Sequence, residues 1–431
     1  MKNFTKIIGL FLLISCGMHA QQEKGIVGAT NWLNNWTEFK PNKVDYGQAN
    51  RILAGNITVN TRLEKKNIYL LQGNVYVTNG ATLTIDPGTI ILCDSDSKAS
   101  LLIAKGATII AEGLETDPII FTSNKSIKRP GDWGGIILLG EAPINKLGGI
   151  SSVNFDLDPT LISYGGIKAA SNSGILKFVR IEFAGARLKK GMDRFNSLLL
   201  AGVGTKTIIE NVMVSYSGGD SFEIFGGELK LNKLISFKSS SNDYSFNFGT
   251  QCHIDNSLAI RSSFLSSKYG SRCLDIASYN TKEEVDHSKK QTLVVATNLT
   301  LVNSNENINV DIESGLIKEA IYVGNDSALE CRRTVISGFN PAVLLDRKIE
   351  INDKNLNKIK FEEMYFNLCK GNIFTEFDPN NEDLEGWYGN SIFANVYSKS
   401  DNKETFIDFT NDKRPDFRLR IGKIFASSVD K

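Results

Sequence analysis

The chain has 431 residues, 49 Lys+Arg against 48 Asp+Glu, a formal charge of +1 and a hydrophobic content of 41%. That balance carries no basic footprint for nucleic acid and no acidic tail for a basic partner. Three histidines leave almost no raw material for a His-based zinc site or a Ser-His-Asp triad.

At the amino terminus, Lys2 and Lys6 flank the start of an apolar run from Ile7 to Ile14. That run is too short to span a bilayer and reads as an export signal over residues 1–15. Two processing readings compete. Leu13-Ile14-Ser15-Cys16 has the form of a bacterial lipobox, which makes Cys16 the lipid-bearing first residue of an outer-membrane, surface-exposed lipoprotein. Cleavage after Ala20 instead releases a soluble secreted or periplasmic form. Residues 16–43 read as a polar tether and N-terminal cap, in which Trp32 and Trp36 close the open end of a repetitive region; sugar stacking is the alternative role for them.

From residue 44 to 371 the chain repeats itself. Gly80-Ala81-Thr82 recurs as Gly106-Ala107-Thr108, 26 residues on, inside short β-branched runs divided by Gly and Pro turns. Strands that short cannot bury a face alone, so self-similarity at this period predicts a β-solenoid. Further on, Asn211-Val212-Met213-Val214-Ser215-Tyr216 reappears as Asn232-Lys233-Leu234-Ile235-Ser236-Phe237, and Leu258-Ala259-Ile260-Arg261 follows Ile235-Ser236-Phe237-Lys238 by 23 residues. Taken as rungs, these align Ile181, Val214, Ile235, Leu258 and Leu299 as one inward ladder, and Phe183, Tyr216, Phe237, Ile260 and Leu301 as a second. An antiparallel sandwich is the competing architecture. Insertions at Lys146 to Ser173 and Thr281 to Lys290 mark a contact face. Residues 372–431 supply a last coil, a polar loop from Asp378 to Gly386 and a C-terminal cap.

The phrase Gly-Ala-Thr-Leu-Thr-Ile-Asp-Pro-Gly, followed by Gly131-Asp132-Trp133-Gly134-Gly135 and Val179-Arg180-Ile181-Glu182-Phe183, resembles a Bacteroidota family of exported proteins. The resemblance implies an all-β, right-handed, single-stranded parallel β-helix with N- and C-terminal caps, and an envelope or surface location. It supplies no reaction.

The candidate ligand face is Gly218-Gly219-Asp220-Ser221-Phe222-Glu223 with Asn242-Asp243-Tyr244. Asp220 and Asp243 lie 23 residues apart, one coil by the ladder count, as do Lys238 and Arg261. Parallel β-helices that cut acidic polysaccharides hold Ca²⁺ on stacked Asp and use Arg or Lys as base, and those that hydrolyse glycosides use paired carboxylates. The Asp220/Asp243 pair is the weak metal candidate. In the resembled family these stretches carry runs of aspartate, whereas Gly219, Ser241, Asn242 and Ser245 stand here, which cuts against both Ca²⁺ and catalysis. Cys252 and Cys273, 21 residues apart, are equally open to being bonded or merely buried. Asp326-Ser327-Ala328 fits a short O-glycosylation pattern at Ser327. The favoured function is a non-enzymatic binding or accessory subunit, held at the outer membrane by its lipid and docked on a β-barrel transport or assembly complex or on a polysaccharide. The alternative is a polysaccharide lyase or glycosidase using the Asp220/Asp243 face.

Overall fold

The computed structural model describes residues 23–187, 194–262, 266, 271–305, 308–315, 318–376, 382–420 and 422. Residues 1–15, expected to be an export signal, and Cys16 lie outside them. Short strands of β-branched and aromatic residues join in a 29-stranded sheet in which every pairing is parallel. The sheet winds as an all-β, right-handed parallel β-helix with three faces. The first face includes Ser100–Ile103, Gly135–Leu139, Leu198–Ala201, Phe222–Phe225, Tyr244–Asn247, Leu274–Ile276 and Ile321–Val323. The second includes Thr82–Ile85, Thr108–Glu112, Glu228–Asn232, Gln251–Asp255 and Leu293–Thr297. The third includes Ile90–Cys93, Ile119–Ser123, Ile235–Phe237, Leu258–Arg261, Thr300–Asn303, Val335–Ser337 and Tyr365–Asn367. Gly174–Glu182 and Ile208–Ser215 run through the corner and serve the second and third faces in turn.

Side-chain alternation sends one residue in two inward, and successive rungs stack like on like. On the second face one inward column reads Leu63, Ile85, Ala111, Leu176, Ile209, Leu231, Ile254, Ala296, Cys331 and Phe361. All ten are buried. Such a column removes apolar surface from water at roughly 25 cal/mol per Å².

From Gly174 onward the corner between the second and third faces is turned at each rung by one residue with left-handed backbone: Phe178, Asn211, Lys233, Asn256, Asn298, Arg333 and Glu363, with φ between 48° and 56°. Asn tolerates this conformation best among non-glycine residues. That preference hides the register. The sequence pattern pairs Asn211 with Asn232, but the residue that turns the corner is Lys233, so Met213 pairs Ile235 and Val214 pairs Ser236. A slip of one residue moves a side chain to the opposite face. Ile235 and Leu258 therefore point outward, and the inward column reads Ile181, Val214, Ser236, Ala259 and Leu301.

Those outward side chains are nonetheless buried, because described segments near each end of the chain lie over the third face. Ile26, Leu33, Trp36 and Phe39 from the amino-terminal segment and Phe406, Phe417 and Leu419 from the carboxy-terminal segment form one core with Met213, Ile235, Phe237, Leu258, Ile260, Val302, Val335 and Tyr365. Trp36 is edge-on to Phe178 at 5.8 Å, and Trp32 stacks on Trp36 at 6.4 Å. The tryptophans thus seal a flank rather than the open end. Phe406–Asp408 and Asp416–Leu419 pair antiparallel, and Asn31 bonds Pro415 O while Arg418 bonds Gly28 O, so the two termini hold each other in place.

A second lateral core covers the early rungs of the first face, where Val153, Phe155, Ile162 and Tyr164 of the first insertion pack on Tyr76, Leu102, Ile137 and Leu199. The two insertions touch, through Lys146 to Glu284 at 2.9 Å and an antiparallel bridge from Lys146 to Val285. Over the described part of the polar loop expected from Asp378 to Gly386, a helix runs instead, Glu382–Tyr388, and drives Leu384 and Tyr388 into the end of the main core.

Candidate functional site

The first face changes character along its length. Its outward column reads Tyr76, Leu102, Ile137 and Leu199, then Glu223, Ser245, Asp275 and Tyr322. The apolar half lies under the insertion. The polar half does not.

Beside the polar half, at the turn that leads into the face, Asn196, Asp220, Asn242, Arg272 and Glu319 occupy successive rungs, each two residues before a paired strand residue. They are bonded one to the next. The Asp220 amide donates to Asn196 Oδ1 at 2.9 Å, the Asn242 amide to Asp220 Oδ1 at 3.0 Å, and the Arg272 amide to Asn242 Oδ1 at 3.1 Å. Arg272 Nε then donates to Glu319 Oε1 at 2.5 Å. Cross-links tie this column to the outward one. Asn242 Nδ2 donates to Asp275 Oδ2 at 3.0 Å, Asn196 Nδ2 donates to Glu223, and the Arg272 guanidinium lies 3.9 Å over the Tyr322 ring.

Between the insertion and these columns runs a groove of about 320 Å³, walled by Val153, Asn154 and Phe155 on one side and by Arg194, Asn196, Asp220, Glu223 and Ser241 on the other. Asp220 is 8% exposed. Burial, helped by the nearby Asp275 charge and opposed by hydrogen bonds from Ser241 and Asn242, lifts its carboxyl to about 6. Burial also raises Asp275, with Arg272 pulling the other way. The strip carries the carboxylates of Asp220, Glu223, Asp275 and Glu319 against the guanidiniums of Arg194 and Arg272. Arg272 is already committed to Asp275, Glu319 and Tyr322. Such a surface offers fixed acceptors for hydroxyl groups and repels polyanions.

The residues singled out by sequence divide sharply. Asp220 and Glu223 reach the groove. Asp243 does not: the rung offset on this face is 22 residues, so Asp220 stacks on Asn242 and Asp243 falls one column inward. There it is fully buried, paired with Arg261 at 3.0 Å and bonded by Ser236 Oγ. Burial raises the Asp243 carboxyl while Arg261 and Ser236 pull it back. The Asp220/Asp243 pair is therefore no cation cage. Among the described residues no group of three or more His, Cys, Asp or Glu is placed to hold a metal. Lys238 does share its rung position with Arg261, as the 23-residue count requires. However, Lys238 emerges on the third face, 5.0 Å from the Phe237 ring, whereas Arg261 turns inside.

Cys252 and Cys273 are free and buried. Cys252 stacks between Leu229 and Val294 on the second face, and Cys273 sits at the entry to the first, so no disulfide joins them. Ser327 is 7% exposed and its hydroxyl meets Ser278 Oγ at 3.2 Å, which leaves no room for a sugar without local opening. Sequence reasoning missed Asn196, Arg272, Asp275, Glu319 and Tyr322 altogether. The rung offsets along this column are 24, 22, 30 and 47 residues, so no fixed period could bring them together.

No curated protein and no solved structure matches the chain. A family model described as a pectate-lyase-like β-helix domain matches residues 55–410, which takes in the polar strip and all of the strands but the start of the first and the Asp416–Leu419 strand. The chain belongs to the pectate-lyase-like β-helix domain family.

Proposed function

We propose that this protein is a non-enzymatic binding subunit of the bacterial envelope, exported, anchored at the outer membrane through Cys16, and gripping a neutral extended polymer in the groove beside the polar strip. The observation that carries the reading is the strip itself. Its acceptors are held rigid by bonds from rung to rung, with an acidic excess that disfavours polyuronates and with Arg272 consumed internally rather than free as a base. A groove open along several rungs suits an extended chain.

One observation favours a second reading, a glycosidase. Asp220, neutral up to about pH 6, lines the groove with Glu223, and a protonated carboxyl beside a second carboxylate is the pairing that glycoside hydrolysis requires.

The deciding experiment measures retention of the full chain on immobilised neutral and acidic polysaccharides and assays the eluates for shortened products. Retention on a neutral polymer, weakened about tenfold or more by Glu223→Gln without product formation, supports the binding reading. Products that vanish with Asp220→Asn establish the glycosidase instead. Retention confined to acidic polymers overturns both. Recovery of an outer-membrane β-barrel in stoichiometric amount from detergent extracts, lost with Cys16→Ala, adds the accessory role.

A further inference from the structure

The amino-terminal segment does not arrive where the first coil begins. Lys24 Nζ donates to Met364 O at 3.3 Å and to Ala394 O at 3.2 Å, at the carboxy-terminal end of the solenoid. From there the segment runs back toward the early coils, crossing one rung after another. The Gly25 amide bonds Arg333 O, the Ile26 amide bonds Thr300 Oγ1, and the Val27 amide bonds Asn256 Oδ1, which returns a bond from its Nδ2 to Val27 O. Trp36 then reaches Phe178, and the Tyr46 hydroxyl meets Glu182 at 3.0 Å. Only then does the first strand, Arg51–Ile57, begin.

Cys16 precedes Lys24 by eight residues, and eight residues span at most about 28 Å when fully extended. A lipid on Cys16 therefore ties Lys24, and with it the carboxy-terminal coil to which it is bonded, to within about 28 Å of the bilayer, and sets no such limit on the first coils. The surface that faces the lipid on this arrangement is the end cap. Ile392, in the turn Ser391–Phe393, is 80% exposed, and the neighbouring Phe393 ring packs on Trp387 with centroids 6.4 Å apart. Ile52 and Val59 are almost as exposed at the other end, so apolar exposure does not choose between the two ends. The point at which the anchored segment joins the coils does.

We infer that the protein stands on the membrane on its carboxy-terminal cap, with Ile392 in the lipid interface and the first coil pointing away. This rests on the lipid-anchor reading of Cys16. The groove then lies four to five rungs above the cap, about 20–25 Å from the lipid at 4.8 Å per rung, within reach of a polymer that lies along the cell surface.

The test uses the full lipidated chain in phosphatidylethanolamine–phosphatidylglycerol vesicles that carry a lipid-phase quencher. An environment-sensitive fluorophore is attached at Ile392→Cys in one sample and at Val59→Cys in another, with the unsubstituted chain as labelling control. Both sites are on exposed turns, and melting curves confirm the fold. Quenching several-fold stronger at 392 than at 59 is the expected result. Equal quenching, or stronger quenching at 59, overturns the orientation. Mass spectrometry of the amino-terminal peptide separates the two inferences: an acylated Cys16 with the wrong quenching pattern sinks the orientation alone, whereas an unmodified Cys16 sinks the anchor and the orientation with it.

Discussion

The outward side chains of the third and first faces make a natural contrast. Both faces are built from the same parallel rungs, yet one is sealed along most of its length and the other is sealed over half. On the third face the outward column is Met213, Ile235, Leu258, Thr300, Val335 and Tyr365, and the segments carrying Trp36 and Phe417 lie across it. On the first face the column turns from Leu199 to Glu223 between adjacent rungs, and the insertion stops covering it there. A solenoid exposes half of every strand, and whether an outward column is apolar or polar decides whether it becomes a second core or a binding strip.

The sharpest way to break that contrast is to give the third face the chemistry of the first. Ile235 is fully buried under the amino-terminal segment. An Ile235→Asp substitution loses about 1.5–3 kcal/mol of apolar burial and adds the cost of an unpaired carboxylate. The expected loss is about 5 kcal/mol or more in urea unfolding, with rapid proteolysis near Trp36. Lys233→Asp, two residues earlier and partly exposed, should cost less than about 1 kcal/mol.

The same residues show how far the sequence could be read. The architecture was legible because Gly-Ala-Thr repeats, β-branched runs and turn glycines fix strand length and period regardless of register, and Thr82 does pair Thr108 as the 26-residue spacing requires. Register failed where a corner residue was disguised. Asparagine is the expected left-handed residue, so Asn232 attracted the alignment while Lys233 turned the corner. That single slip, and the matching one that put Asp243 in place of Asn242, misplaced the ladder and half of the site. The strip was illegible for a different reason. Insertions between rungs make Asp275 and Tyr322 neighbours across 47 residues, and no local pattern encodes such a distance. The overlay of the termini on the third face left one trace in the sequence, a cluster of aromatics near each end, which fits a lateral seal as well as an end cap.

Inside the coils, the pair that the sequence assigned to the ligand face supplies a second test. Asp243 and Arg261 are both fully buried. Arg261 also bonds Ser241 O at 2.8 Å and Ser239 O at 3.3 Å, so it ties the turn before the first face to the strand Leu258–Arg261. Removing one partner leaves an uncompensated buried charge, a loss of about 3–5 kcal/mol. Arg261→Met alone should show that loss in equilibrium unfolding, and Asp243→Asn with Arg261→Met should recover a substantial part of it. If the single and double variants are equally unstable, the pair acts through the guanidinium's carbonyl bonds and not through its charge.

The smallest effect probes the groove itself, and its sign is fixed by the Asp220 carboxyl. Folding raises that group from about 3.9 to about 6, so the folded state binds the proton more tightly than the unfolded state does. The stability it contributes is present in full below about pH 4 and is lost as the pH rises through about 6. Across that window the wild-type chain should lose about 2–3 kcal/mol relative to Asp220→Asn, which cannot ionise. Unfolding both proteins in urea at intervals from pH 4 to pH 7 measures the difference directly. A ligand that accepts a hydrogen bond from the neutral carboxyl would move the upper limit of the window higher, while one that donates to the carboxylate would move it lower. Repeating the titration with a retained polysaccharide therefore tells which form of Asp220 the ligand meets, and a curve that does not move places the polymer elsewhere on the strip.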